Sequence, residues 1–229
     1  MPDIFSRYHT VQETIRRAAE KAGRSPDGIR LVAVSKTYGV NEIRQAMDAG
    51  ATLFGESRVQ EAREKIRVLG RETLRWHLIG HLQQNKVKYI FDLFDLVHSV
   101  DSLALAGEIH RLGAARNRGM DILIQVNVAG DQAKFGLSPD NALDAIKEIS
   151  RLKNVSIRGL MTIPPFNEDP EKSRGYYKSL RELRDHIATK GFDLKELSMG
   201  MSHDYGVAIE EGATLVRVGS AIFGERTYV

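Results

Sequence analysis

The chain has 229 residues, 42% of them hydrophobic, with no cysteine and a formal charge of +3. That length can bury one sizeable core, and the missing thiols exclude a disulfide framework, a thiolate metal site and a cysteine nucleophile. Basic and acidic residues are interleaved, as from Arg58 to Arg71, so they read as solvated helix faces, not a nucleic-acid surface; with no signal-like run in Met1 to Arg7 and no stretch of membrane-spanning length, a cytoplasmic protein without membrane contact is expected.

Tyr8, Val11, Ile15 and Ala18 recur at helical spacing and Gly23 follows, which predicts an N-terminal helix from Phe5 to Ala22. Leu31-Val32-Ala33-Val34-Ser35-Lys36, approached through Pro26 and Gly28, reads as a strand buried on both faces and ending on Lys36. A helix with Val40, Ile43, Ala46 and Met47 on its apolar face closes at Gly50, and Ala51 to Phe54 forms a second strand. The cycle then repeats. Val59, Ala62, Ile66 and Leu69 stripe a helix before the strand Trp76 to Ile79, and a helix around Asn85 to Ile90 precedes Leu96 to Ser99. Leu105, Ile109 and Leu112 lead to Ile122 to Asn127; Ala142, Ile146 and Ile149 lead to Val155 to Met161. Tyr177, Leu180, Leu183 and Ile187 precede a short strand at Leu197 to Met199, and a helix from His203 to Glu211 precedes Leu215 to Val218.

Eight strand candidates alternating with helices predict a parallel sheet with crossover helices, and that number points to a (β/α)8 TIM barrel with an extra N-terminal helix. The thin fourth and seventh strands keep an open doubly wound sheet as the alternative. Ala46 to Leu53 echoes Ala208 to Leu215, each a helix end, a glycine and a strand start; glycine takes the left-handed position after a helix without strain. No linker composition interrupts residues 1–229, so one domain is expected.

In such a barrel, function gathers at the C-terminal ends of the strands, with phosphate commonly held after the seventh and eighth. There the chain places Ser198-Met199-Gly200-Met201-Ser202 and Arg217-Val218-Gly219-Ser220, small and hydroxyl-bearing residues that let backbone amides approach an anion. Each Gly-Ser pair is also an ordinary turn signal. Lys36 either marks where the first strand reaches water, or is an amine at the mouth of an apolar barrel able to form a Schiff base. With a phosphate cup, the second reading admits a phosphorylated sugar handled by an aldolase, or pyridoxal 5′-phosphate (PLP).

Arg217, inward by strand alternation, either faces a pyridine nitrogen, whose protonation it would discourage, or pairs with a carboxylate such as Glu56. His77 is inward if Trp76 packs outward, and as a lone histidine reads first as a hydrogen-bonded core residue. Lys134, in the loop after the fifth strand, is a rival amine. His81 and His203 fall in loops without metal-ligand spacing, so no metal is assigned, and no Walker loop, G-x-G-x-x-G or G-x-S-x-G occurs.

Ala33-Val34-Ser35-Lys36-Thr37, Phe54-Gly55-Glu56, Trp76 to Gly80, Leu82-Gln83, Arg158 to Met161, Leu197 to Ser202, Val216 to Gly219 and Ile222-Phe223-Gly224 together resemble the pyridoxal phosphate homeostasis proteins, also called the YggS or PROSC family. The resemblance covers nearly the whole chain. It implies a barrel similar to the N-terminal domain of alanine racemase, the fold-type III arrangement of PLP proteins. Carried over by position, it makes Lys36 the Schiff-base lysine and sets Arg217 at the pyridine nitrogen. Ser198, Gly200, Ser202, Gly219 and Ser220 then lie around the phosphate, His77 and Met201 line the ring, and Ser57 and Met161 border the cofactor. The family usually has Gly-Glu-Asn after the second strand; Ser57 replaces that asparagine here and puts one hydrogen bond to the ring substituents in doubt.

What the resemblance implies is a PLP carrier that influences vitamin B6 balance, with transient contact with PLP-dependent apo-enzymes as the expected partner interaction, without substrate turnover of its own. The alternative is a PLP-dependent amino-acid racemase. Racemisation needs an acid and a base on opposite faces of the substrate; in the racemases the opposing tyrosine comes from a C-terminal β-domain of a partner subunit, and a chain ending at Val229 has no room for one. That favours the carrier and a monomer, with Tyr205 or His203 as second proton donors if it is an enzyme.

Overall fold

The computed structural model of the chain describes residues 2–131 and 133–225. Among them, eight strands close into a parallel barrel in sequence order: β1 (Arg30–Val34), β2 (Leu53–Glu56), β3 (Arg75–Leu78), β4 (Leu96–Val100), β5 (Met120–Gln125), β6 (Val155–Met161), β7 (Glu196–Met201) and β8 (Leu215–Val218). β1 pairs with β8 through Arg30↔Leu215 to Ala33↔Val218, which closes the ring and removes the open-sheet alternative. The thin fourth and seventh strands are full members of it.

The crossover helices are α2 (Val40–Asp48), α3 (Val59–Leu69), α4 (Ile90–Leu93), α5 (Leu103–Arg116), α6 (Pro139–Ile149), α7 (Arg174–Ala188) and α8 (Tyr205–Glu210), with α1 (Ile4–Lys21) before the barrel and α9 (Ser220–Phe223) after it. α1 begins where the Asp3 carboxylate accepts from the Ser6 amide at 2.8 Å, relieving one unpaired helix-end donor. Its apolar stripe, Ile4, Tyr8, Val11, Ile15 and Ala18, is buried. Arg7 donates from Nε to the Ile222 carbonyl at 2.7 Å, and Arg24 donates to the Ile209 and Ala213 carbonyls at 2.6 and 2.8 Å. The first helix and the turn that follows it thus tie the last two units of the barrel together.

Side chains alternate along every strand, and the two faces form separate clusters. Ala33, Phe54, Trp76, Val97, Ile122, Leu160, Leu197 and Val216 belong to the large core between barrel and helices. Val32, Leu96, Leu123, Met161 and Leu215 make a smaller cluster inside the barrel. With Trp76 outward, His77 turns inward; by the same alternation His98, Ser198 and Arg217 are inward between Val97, the pair Leu197 and Met199, and the pair Val216 and Val218. The interior is therefore not apolar throughout.

Strand boundaries differ from the sequence reading in two places that matter. β2 begins at Leu53, because Ala51 bonds back to the Ala46 carbonyl at 2.9 Å and still belongs to the helix exit. β1 ends at Val34, so Lys36 lies two residues past the strand in a turn. Ser35 donates the last ladder bond, to the Gly55 carbonyl at 3.0 Å, and Thr37 then takes φ 72°, a left-handed conformation uncommon outside glycine that swings the chain toward α2. The echoed glycines behave as predicted, Gly50 at φ 100° and Gly212 at φ 101°.

Candidate functional site

The C-terminal ends of the strands enclose a cleft of about 570 Å³, within the usual range for small-molecule sites. Lys36, Ser57, Met201, Ser202, Arg217, Gly219 and Ser220 all line it, with apolar walls from Val34, Ile79, Ile163 and Phe166 and with His203, Asp204 and Glu225 at its edge. Residues separated by nearly the whole sequence thus converge on one space.

Lys36 is half-buried, and the residues on either side of it are clamped. The Ser35 hydroxyl donates to Glu56 Oε1 at 2.6 Å, and the Lys65 ammonium donates to the Ser35 carbonyl at 2.7 Å, to Glu56 Oε1 at 2.7 Å and to Glu61 Oε1 at 2.6 Å. Glu61 Oε1 also accepts from the Thr37 amide at 2.6 Å. Glu56 is fully buried, and its Oε2 has no hydrogen-bond partner among the described residues. Burial pushes its carboxyl above the usual range, partly offset by the neighbouring Lys65 cation. This clamp is absent from the sequence reading.

Arg217 is buried, and it does not pair with Glu56, whose charge is met by Lys65. Nη1 donates to Ser198 Oγ at 2.5 Å and Nη2 to the Thr162 carbonyl at 2.9 Å, so two neutral oxygens hold a buried guanidinium. Burial lowers its pKa to about 10, a shift opposed by Tyr177 and Asp204. Just past the end of β7, Ser202 Oγ accepts from the Gly219 amide at 3.0 Å and the Ala221 amide at 3.4 Å. With both lone pairs taken, its proton is left to donate into the cleft.

His77, Met161, Ser198 and Gly200 are not brought to the cleft wall. His77 is buried lower in the barrel, its Nδ1 2.9 Å from His98 Nε2, and it borders two cavities at the N-terminal ends of the strands. Met161 belongs to the apolar interior cluster. The Ser198 hydroxyl is engaged by Arg217 and by His98 Nδ1 at 2.9 Å. Gly200 lies where β7 crosses close to α8, and a Cβ there would meet the Ala208 Cβ at 2.6 Å and the Tyr205 Cα at 2.9 Å.

Lys134 lies near the rim, its Nζ 3.5 Å from the carbonyl of cleft residue Ile163, but it does not line the cleft. His203 does, with Nε2 2.6 Å from the Glu168 carbonyl, whereas Tyr205 is buried in the outer core. No group of three or more His, Cys, Asp or Glu among the described residues could hold a metal ion. No helix among them is long and apolar enough to cross a membrane.

The structure thus defines a closed (β/α)8 barrel protein with a lysine, a buried arginine and a serine- and glycine-rich wall at one mouth. The chain belongs to the pyridoxal phosphate homeostasis protein family, built on the alanine racemase N-terminal domain. That domain matches residues 7–227. The pyridoxal phosphate homeostasis protein of Aquifex aeolicus is 46% identical over 223 residues, 97% of this chain and 98% of that protein. The structure of PipY from Synechococcus elongatus with PLP bound superposes with a TM-score of 0.81 at 36% identity, covering 92% of this chain and 100% of that one. Alanine racemase from Clostridium difficile shares the fold, with a TM-score of 0.75 at 16% identity over 97% of this chain and 58% of its own.

Proposed function

We propose that this chain is a single-barrel PLP carrier: it holds the cofactor in the C-terminal cleft as a Schiff base on Lys36 and serves PLP homeostasis without turning over a substrate of its own. The observation that carries this reading is the convergence of Lys36, Arg217, Ser202, Gly219 and Ser220 on one cleft. PipY, similar over its full length, has a structure with PLP bound, and the curated relatives are named for homeostasis, not for a reaction.

The residues fit the group. PLP supplies an aldehyde that condenses with a primary amine and an electron-accepting ring. Lys36 supplies the amine. Arg217 carries only donors, and so offers a hydrogen bond to an unprotonated ring nitrogen while opposing its protonation. The Ser202 proton and the small residues Gly219 and Ser220 offer phosphate oxygens a donor and close approach. Val34, Ile79, Ile163 and Met201 keep water from the ring faces. Ser57 reaches the same wall with a shorter side chain than asparagine.

The racemase alternative rests on His203, a proton carrier that lines the cleft together with Lys36, Asp204 and Glu225. The carrier reading also takes the protein to act as a cytoplasmic monomer in transient contact with PLP-dependent apo-enzymes. The test is absorbance titration with PLP, followed by incubation of the loaded protein with L-amino acids in deuterated water. A PLP band that Lys36→Ala removes, with no Cα deuterium exchange above free PLP, supports the carrier; exchange at enzymatic rates overturns it.

A further inference from the structure

Four polar side chains from four strands form one line of hydrogen bonds through the barrel. Arg217 Nη1 lies 2.5 Å from Ser198 Oγ, Ser198 Oγ 2.9 Å from His98 Nδ1, and His98 Nε2 2.9 Å from His77 Nδ1. All four residues are buried. The line runs from the cleft that Arg217 borders to the cavities of about 480 and 500 Å³ that His77 borders at the N-terminal ends of the strands. The central layers of such barrels are dominated by branched apolar residues, so this line departs from the common filling.

Its direction follows from Arg217. A guanidinium has donors and no acceptor, so Ser198 Oγ accepts from it. The single Ser198 proton then goes to His98 Nδ1, the remaining acceptor among its described contacts. A lone pair on Nδ1 puts the His98 proton on Nε2, where it donates to His77 Nδ1. The His77 proton is accordingly on Nε2, on the side of the N-terminal cavities. Every bond points away from the cleft, and each imidazole must be neutral to take part. Burial supplies that condition, holding His77 down to about 3 and His98 well below the ordinary histidine range. The charged groups around the lower end are Arg16, Arg30, Arg75, Arg158 and Lys195 with Asp27, Asp95, Asp121, Asp193 and Glu196.

We infer that Ser198, His98 and His77 are positioning residues: they fix the orientation of the Arg217 guanidinium so that its remaining N–H groups serve the cofactor in the cleft. This rests on the PLP reading above. A lone serine beneath Arg217 could turn its proton or rotate away; committing that proton to His98, and the His98 proton to His77, leaves one arrangement in which each of the three bonds joins a donor to an acceptor.

The test has two arms. In the first, long-range proton–nitrogen NMR on the uniformly labelled full chain without cofactor reads the tautomers directly. Both His77 and His98 are expected as neutral Nε2–H forms, unchanged from pH 8 to pH 5; an Nδ1–H form or an imidazolium at either position at pH 7 overturns the chain. In the second, Ser198→Ala is expected to melt cooperatively, to move the His98 nitrogen signals, to weaken PLP binding by roughly tenfold and to shift the absorption maximum of bound PLP. His98→Asn serves as the second variant, expected to shift the same band. Variants that bind PLP with the wild-type affinity and band overturn the positioning role and leave the PLP reading intact. A wild-type chain that binds no PLP overturns the role together with that reading, while the tautomers still report on the chain itself.

Discussion

The Lys65 ammonium lies 2.7 Å from the carbonyl oxygen of Ser35, the residue immediately before Lys36. A side chain from α3 thereby holds the backbone that delivers the cleft lysine, and the same ammonium pairs with both Glu56 and Glu61. The position of Lys36 is set from outside the cleft.

Lys65→Met removes the cation and leaves Glu56 buried beside it, and breaking a buried pair in this way costs about 3–5 kcal/mol. Urea unfolding should show that loss. Glu56→Gln combined with Lys65→Met should recover part of it, because Glu56→Gln removes the stranded carboxylate; a strictly additive double mutant would show that the two groups do not interact.

The buried histidines make stability fall in acid. His77 is held down to about 3 chiefly by burial, and His98 is lowered by the same cause. Below the unfolded histidine pKa near 6.5 the unfolded chain binds protons that the native chain refuses, so unfolding free energy drops as pH falls through that window. The slope is up to ~1.4 kcal/mol per pH unit for each histidine. Glu56, raised by burial, contributes the opposite slope just above its ordinary range. Unfolding measured from pH 7 to pH 5 should show the acid loss, and His77→Asn should flatten it by about one proton.

Gly80 follows β3, and a Cβ on it would come within 2.7 Å of the Ser57 Cα and 2.8 Å of its Cβ. The Gly80 carbonyl is itself held by the Ser99 hydroxyl at 2.6 Å, so the clash must displace Ser57. Gly80→Ala should destabilise by about 1–3 kcal/mol, the usual cost of overpacking, and weaken PLP binding through the moved cleft wall. Thermal melting and a PLP titration check the two effects separately; unchanged PLP affinity would show that Ser57 is not part of the cleft's working surface.

The barrel is legible in the sequence because its punctuation is local. Helical stripes ending at Gly50 and Gly212, and β-branched runs after them, need no tertiary information. Arg217 is legible as inward because alternation on β8 fixes it relative to Val216 and Val218. Lys65 is not legible: a lysine in a charged helix reads as solvated, and its pairing depends on Glu56 at the end of β2. His98 sits on a strand too short to inspire weight, although its inward phase next to Leu96 and Val97 was available as a signal. Ser198 and His77 enter as cofactor contacts only through the family resemblance; inward phase is legible for both but depth is not, and neither lines the cleft.

The central claim is that Lys36 is the amine that takes PLP. Loading the protein with PLP, reducing it with borohydride and locating the added mass by peptide mass spectrometry tests this directly. The account predicts a pyridoxyl group on Lys36, abolished in Lys36→Ala; an unmodified Lys36 with the group on Lys134 or on no lysine would contradict it.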